Sequence, residues 1–396
     1  MRARNARFSS RLSQRLSRNR LAIALERRLQ RGEPILDLTE SNPTRVGIPY
    51  PAQEIAAALS TPRLITYEAC ARGLRETREC VAEWLGRRGP RPSPEDLLLT
   101  AGSSEAYAYL FKLLLDPGDA ALVPQPSYPL LDLLARLEAI RLIPYRLVHD
   151  GRWSIDLDSL YGAADPRAKV LMAVHPNNPT GSYLTCQDAR ALVEFCRQRR
   201  LSIICDEVFF EYSLGASHPR RPTLMGTEEV LTFCLDGLSK SAGLPQMKLG
   251  WICISGPDSL RREALERLEL IADTFLTVGA PVQLAAPQLL ELGAGVRASI
   301  QARTRGNLEW LRAEVRHVPT CTLLEPEGGW SAVLRLPATR NDEEWALELL
   351  EADGVRVHPG YFYDFREEAV LVLSLLPEPA SFREAVARLL GRARQA

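Results

Sequence analysis

The chain has 396 residues, 46% of them hydrophobic, and its 49 basic residues are balanced by 49 acidic ones. That length can bury a large core in two or three domains, and a formal net charge of zero gives no reason to expect nucleic acid or another polyanion as partner. No apolar stretch approaches the roughly 20 residues of a membrane span, no Cys/His cluster has metal-ligand spacing, and the 8 cysteines are scattered, mostly in apolar runs, as expected of reduced thiols in a cytoplasmic protein.

The N-terminus is basic, with Arg2, Arg4, Arg7, Arg11, Arg15, Arg18, Arg20, Arg27 and Arg28. Such a run suits a targeting peptide or a nucleic-acid arm, but Leu12, Leu16, Leu21, Leu25 and Leu29 recur near helical spacing and predict an amphipathic helix laid against the body. Arg87 to Pro94 reads as a stiff, turn-rich connector. From about residue 94 to 255, short apolar runs alternate with longer amphipathic segments. Leu97–Leu99 precedes Ala106–Leu115, Ala120–Val123 precedes Leu130–Leu137, and Val170–Val174 precedes Ala189–Cys196; Leu201–Cys205 precedes Val230–Leu235. This predicts an α/β fold: a mostly parallel sheet flanked by helices, with ligand groups at the strand ends. Beyond it come a long helix, Ser259 to about Thr277, helices Val282–Leu292 and Ala302–His317, and strands near Thr322–Leu324 and Ala332–Leu334. The five histidines, among them His175, His218 and His358, are dispersed and read as structural.

Four candidate residues follow apolar strands: Ser103, Asn178, Asp206 and Lys240. Lysine is scarce, only Lys112, Lys169, Lys240 and Lys248 being present. Lys112 and Lys169 read as solvated ends or faces of their elements. An asparagine, an aspartate and a lysine in this order suit a pyridoxal phosphate site. The lysine amine condenses with the cofactor aldehyde, the carboxylate pairs with the pyridinium nitrogen, and the amide donates to the ring oxygen. Ser103 and Ser104 follow Gly102 at a strand-to-helix junction, where free N–H groups and the helix dipole favour a phosphate; a plain N-cap is the alternative.

Several motifs occur in one order: Tyr67 before Gly73 and the run Leu74 to Leu85, Thr100-Ala101-Gly102-Ser103-Ser104-Glu105-Ala106, Pro126-Ser127-Tyr128-Pro129, Asn177-Asn178-Pro179-Thr180-Gly181, Cys205-Asp206-Glu207-Val208, and Ser239-Lys240 through Lys248-Leu249-Gly250-Trp251. From about Leu36 onward the chain resembles the class I/II aminotransferases of fold type I. That resemblance implies a mostly parallel seven-stranded sheet in a large domain, 46–280, and a smaller α+β domain from 1–45 and 281–396. It implies pyridoxal phosphate held covalently by Lys240, with Ser103, Ser104, Ser239 and Lys248 toward the phosphate. Tyr128 would stack on the ring, and Tyr67 would reach the phosphate of the other subunit of a homodimer with shared sites. The implied reaction moves an amino group between an amino acid or related amine and a 2-oxo acid. Lyase, decarboxylase, cyclase or racemase chemistry needs the same groups, whereas a pyridoxal-sensing regulator would need a DNA-binding domain, for which the segment before Leu36 has no room.

The chain departs from the family pattern in four places. Lys248 stands where arginine is usual and loses the bidentate fork, and Gly237 replaces a hydroxyl residue, so a looser phosphate grip is expected. Phe209 replaces a common tyrosine, which removes a donor to the ring oxygen and predicts a more basic cofactor–lysine linkage. In Leu371-Val372-Leu373-Ser374, Val372 occupies the place of the arginine that holds a substrate carboxylate. Arg335 or Arg356 substitutes for it, or Asn42 and backbone groups bind the carboxylate, or the substrate has none there. The run Tyr361-Phe362-Tyr363 is expected at the pocket mouth, with core packing as the alternative.

Overall fold

The protein is represented by a computed structural model that describes residues 9–12, 18–215 and 223–396. Arg2, Arg4, Arg7, Arg15, Leu16 and His218 therefore lie outside the described residues. The strands in chain order are β1 (Leu36–Asp37), β2 (Leu97–Thr100), β3 (Ala120–Gln125), β4 (Arg141–His149), β5 (Trp153–Ile155), β6 (Ala168–Val174), β7 (Ser202–Asp206), β8 (Thr232–Gly237), β9 (Gly250–Ser255), β10 (Thr322–Leu324), β11 (Ser331–Arg335), β12 (Val355–Arg356), β13 (His358–Pro359) and β14 (Val370–Ser374).

Eight strands form the large sheet in the order β2-β9-β8-β7-β6-β3-β4-β5. The run β8, β7, β6, β3, β4 is parallel, and β9 lies antiparallel between β8 and β2. The expected seven strands are joined by an eighth, β5, a short antiparallel addition to β4. β4 carries Pro144 and a mixed burial pattern, which hid it from a search for apolar runs. The inner strands β3, β6, β7 and β8, and β2 at the edge, are almost continuously buried, because helices cover both faces. One apolar cluster includes Leu97, Leu122, Ile203, Trp251 and Leu289, and a second on the opposite face includes Leu98, Phe111, Ile204, Phe233 and Leu268.

A four-stranded sheet, β10-β11-β14-β13, and the parallel pair β1-β12 enclose a third cluster around Trp345, Leu371 and Phe382. The two helices expected over 282–292 and 302–317 are one helix, Ala280–Val315. Within it Gly293 is a packing residue: a Cβ there would lie 2.4 Å from that of Ala242. Val282 to Leu290 pack with the large sheet and Leu308 to Val315 with the small one, so this helix couples the two. Of the expected N-terminal helix, Arg20–Gln30 is described, capped by the Asn19 side chain; its Ala24, Leu21 and Leu25 pack on Leu347 and Leu350.

Candidate active site

A cavity of about 460 Å³ opens at the C-terminal ends of the parallel strands. Its lining brings together Ser103, Tyr128, Asn178, Asp206 and Lys240 with Phe209, Trp330, His358, Tyr363 and Val372. Asp206 ends β7, Lys240 lies in the short helix Leu238–Ser241 immediately after β8, and Asn178 follows β6. The neighbouring Asn177 is used structurally: its Oδ1 accepts from the Thr180 N–H and hydroxyl, and its amide donates to Pro126 O. Of the two asparagines, only Asn178 faces the cavity.

Asp206 is 7% exposed. Its Oδ1 accepts the Val208 N–H at 3.1 Å and its Oδ2 the Tyr107 hydroxyl at 3.0 Å. Burial pushes its pKa up to about 6 against those two donors and the charge of Lys240. Burial likewise pushes Lys240 down to about 8, with Asp206 opposing. A buried carboxylate with incomplete compensation is costly, and a cation placed at it would restore its ordinary ionisation. Lys240 Nζ lies 4.7 Å from the ring centre of Trp330 and 5.4 Å from that of Phe209, within cation–π range.

The helix Ser103–Leu114 starts at Gly102, which offers no side-chain cap, so its first N–H groups are open to an anion. Lys248 lies beside this end: its Nζ would stand 3.4 Å from a Cβ built on Gly102. Ser103 lines the cavity, Ser104 is exposed, and Ser239 is partly buried one residue before Lys240. The glycine at 237 has a steric cause, since a Cβ there would lie 2.7 Å from Leu249 O on β9's approach. A half-buried amine, a buried carboxylate beyond it and an uncapped helix start with a nearby ammonium fit pyridoxal phosphate.

Four expected residues do not line this cavity. Asn42 uses its Oδ1 to cap the turn Pro43–Arg45 through the Thr44 N–H at 3.1 Å, and its neighbours Thr39 and Ser41 line the cavity instead. Arg335 is exposed at the end of β11: alternation puts it on the same face as the cavity-lining Ser331 and as Val333, but its place at the far end of the strand carries it along β11 beyond the cavity. Tyr67 is 80% exposed and lines a separate cavity of about 500 Å³. Arg356 is held by Asp37 at 2.9 Å.

Three contributors were missed. Tyr107 sits four residues after Ser103, hence on the same helix face, and that spacing was the available signal. Trp330 follows Gly328-Gly329 at the start of β11. His358, read as structural, lines the cavity. Behind the site, Arg88 of the connector is buried between the rings of Trp84 and Phe210, at 5.2 and 4.9 Å. It pairs with Asp236 at 2.9 Å and Glu207 at 3.4 Å, which ties the ends of β7 and β8 together. Asp236 in turn accepts from the Gly237 N–H and the Ser241 hydroxyl, either side of Lys240.

The family model for aminotransferase class I and II matches residues 36–391. The chain belongs to that family. It is a pyridoxal phosphate-dependent transaminase of fold type I. It is 25% identical over 376 residues to a glutamate-pyruvate aminotransferase of Haemophilus influenzae, covering 93% of this chain and 92% of that protein. It is 27% identical over 375 residues to an alanine aminotransferase of Mycobacterium tuberculosis, covering 90% and 85%. Among solved structures, an alanine aminotransferase from Pyrococcus furiosus superposes with a TM-score of 0.88 at 22% identity, covering 98% of this chain and all of the other.

Proposed function

We infer that this transaminase moves the amino group of an α-amino acid to a 2-oxo acid, with Lys240 as the catalytic amine. The carrying observation is the half-buried Lys240 and the buried Asp206 on adjacent strand ends of one cavity, facing an uncapped helix start. When bound, pyridoxal phosphate supplies an aldehyde for the amino group and a ring that takes up electrons. Asp206 would hold a proton on the ring nitrogen, Asn178 would orient the ring oxygen, and Tyr128 would cover a ring face. Ser103, Ser104, Ser239 and Lys248 would hold the phosphate. The amine of Lys240, depressed to about 8, is partly neutral near neutral pH and so able to act as nucleophile and then carry a proton on Nζ.

The names of the matched relatives support small amino acids and their oxo acids as substrates. A homodimer is supported by Ile65, Tyr67 and Leu276, exposed at 91%, 80% and 40% around the second cavity; Tyr67 then serves the partner's phosphate site. A cytoplasmic location is supported by eight free cysteines.

The test is a half-reaction: cofactor-loaded protein is mixed with single amino donors while the visible absorbance is followed. Conversion to the aminated cofactor is expected with some α-amino acids, and Lys240→Ala should abolish it. A cofactor that never changes form with any donor, or full conversion by Lys240→Ala, would overturn the reading.

A further inference from the structure

The wall of the cavity formed by β13 and β14 has to receive one end of the substrate, and it carries no guanidinium among the described residues. Val372 of β14 pairs in register with His358 of β13, and both line the cavity. Of the nearby arginines, Arg356 is occupied by Asp37, and Arg335 is exposed outside the cavity. Several neutral groups on the same wall are also in use. The Ser374 hydroxyl donates to Glu40 O at 2.6 Å, and the Thr39 hydroxyl donates to Asp37 at 2.6 Å.

Directly beside Val372 stands a pair. His358 Nδ1 and the Tyr363 hydroxyl lie 3.0 Å apart, and both side chains line the cavity beside Val372. Tyr363 is 9% exposed and packed among Val333, Val370 and Val372. With Nδ1–H donating to the tyrosine oxygen, the phenol is free to donate its own proton into the cavity, and a buried phenol donor is strong toward an anion.

We propose that Tyr363, aimed by the His358 imidazole, donates its hydroxyl to the substrate carboxylate and holds it at the wall where Val372 leaves no cation. The proposal rests on the reading of the substrate as an amino or oxo acid. His358 stays neutral when the cavity is empty, since burial and then Arg356 push it down to about 4, with Asp37 opposing; the dyad is thus a dipolar clamp rather than a charge pair. The charged and titratable groups that act on the dyad are Arg356 and Asp37 at the imidazole and Tyr128 at the phenol.

The test compares binding of hydrocinnamate and hydrocinnamide to the cofactor-loaded protein by calorimetry. The two probes share an aromatic body suited to the apolar cavity and differ only in the carboxylate. Parent protein should prefer the carboxylate, and Tyr363→Phe should cut the ratio of the two affinities by about tenfold, the effect of one lost hydrogen bond to a charged group. His358→Leu should cut it similarly, which covers failure of either variant to fold. A parent protein that binds the probes alike or binds neither overturns the proposal, as does an unchanged ratio in the variants. Amino transfer is read on the same samples with amino-acid donors. A ratio that collapses in the variants where no donor converts the cofactor sinks the functional reading and supports the clamp; conversion with an unchanged ratio sinks only the clamp.

Discussion

The two ends of the main cavity are built on different principles. At the cofactor end, Lys240, Asp206 and Asn178 leave neighbouring strands of one parallel sheet, and a buried ionic cluster behind them fixes the strand ends. At the substrate end, Trp330, His358, Tyr363 and Val372 come from the small sheet and its turns, carry no charge at neutral pH, and pack mainly against aromatic and aliphatic neighbours. Fixed chemistry is anchored by charge in the large sheet, while the wall that meets the variable part of the substrate is neutral.

The contrast breaks most sharply at Arg88. If the ionic cluster holds the cofactor end, Arg88→Met leaves Glu207, 0% exposed, and Asp236, 1% exposed, without their guanidinium. Removing one partner of a buried ionic network costs about 3–5 kcal/mol, and chemical denaturation of the cofactor-free protein should register a loss of that size. Burial already pushes Asp236 up to about 7 against the attraction of Arg88, so the variant should lose more stability above that pH, where the carboxylate must ionise, than below it. A loss under about 1 kcal/mol, in the range of an exposed pair, would mean that the cluster is incidental.

A smaller effect is expected at Tyr107, whose hydroxyl aims Asp206. Tyr107→Phe removes one donor to the ionised carboxylate, so its pKa rises further above the present value of about 6. Below that pKa the carboxyl is neutral and no longer pairs with a ring cation. Pyridoxal phosphate affinity, measured by fluorescence, should therefore fall about tenfold near pH 6 and less at pH 8. Equal losses at both pH values would point to packing instead.

The same contrast explains what was legible in the sequence. Lys240, Asp206, Asn178 and Ser103 could be located because the parallel-sheet rule puts ligand groups just after apolar strands, and each strand there is a continuous apolar run. Tyr107 and Arg88 were not seen because their roles exist only through tertiary partners, 99 residues away for Tyr107 and 148 for the Arg88–Asp236 pair. Asn42 and Arg335 drew attention as polar residues near the right motifs, but a local cap and a place at the far end of β11 decide where their side chains go. His358 had no local pattern to distinguish it; only the register with Val372 places it on the wall.

The smallest expected effect lies where the two ends meet, at Phe209, which lines the cavity and packs edge-on against Trp330 at 5.2 Å and Tyr212 at 6.4 Å. Tyrosine there would add a hydroxyl able to donate to the cofactor's ring oxygen without changing the ring that packs. One extra donor stabilises the deprotonated form of the cofactor–lysine linkage by about 1–1.5 kcal/mol, which corresponds to roughly one pKa unit. Phe209→Tyr should therefore lower the pH at which the visible absorbance of the loaded protein changes by about one unit, with little change in stability. An unmoved transition would mean that the hydroxyl points away from the cofactor. The neutral character of the substrate wall would then extend as far as Lys240 itself, where Trp330 and Phe209 already supply aromatic faces to its amine.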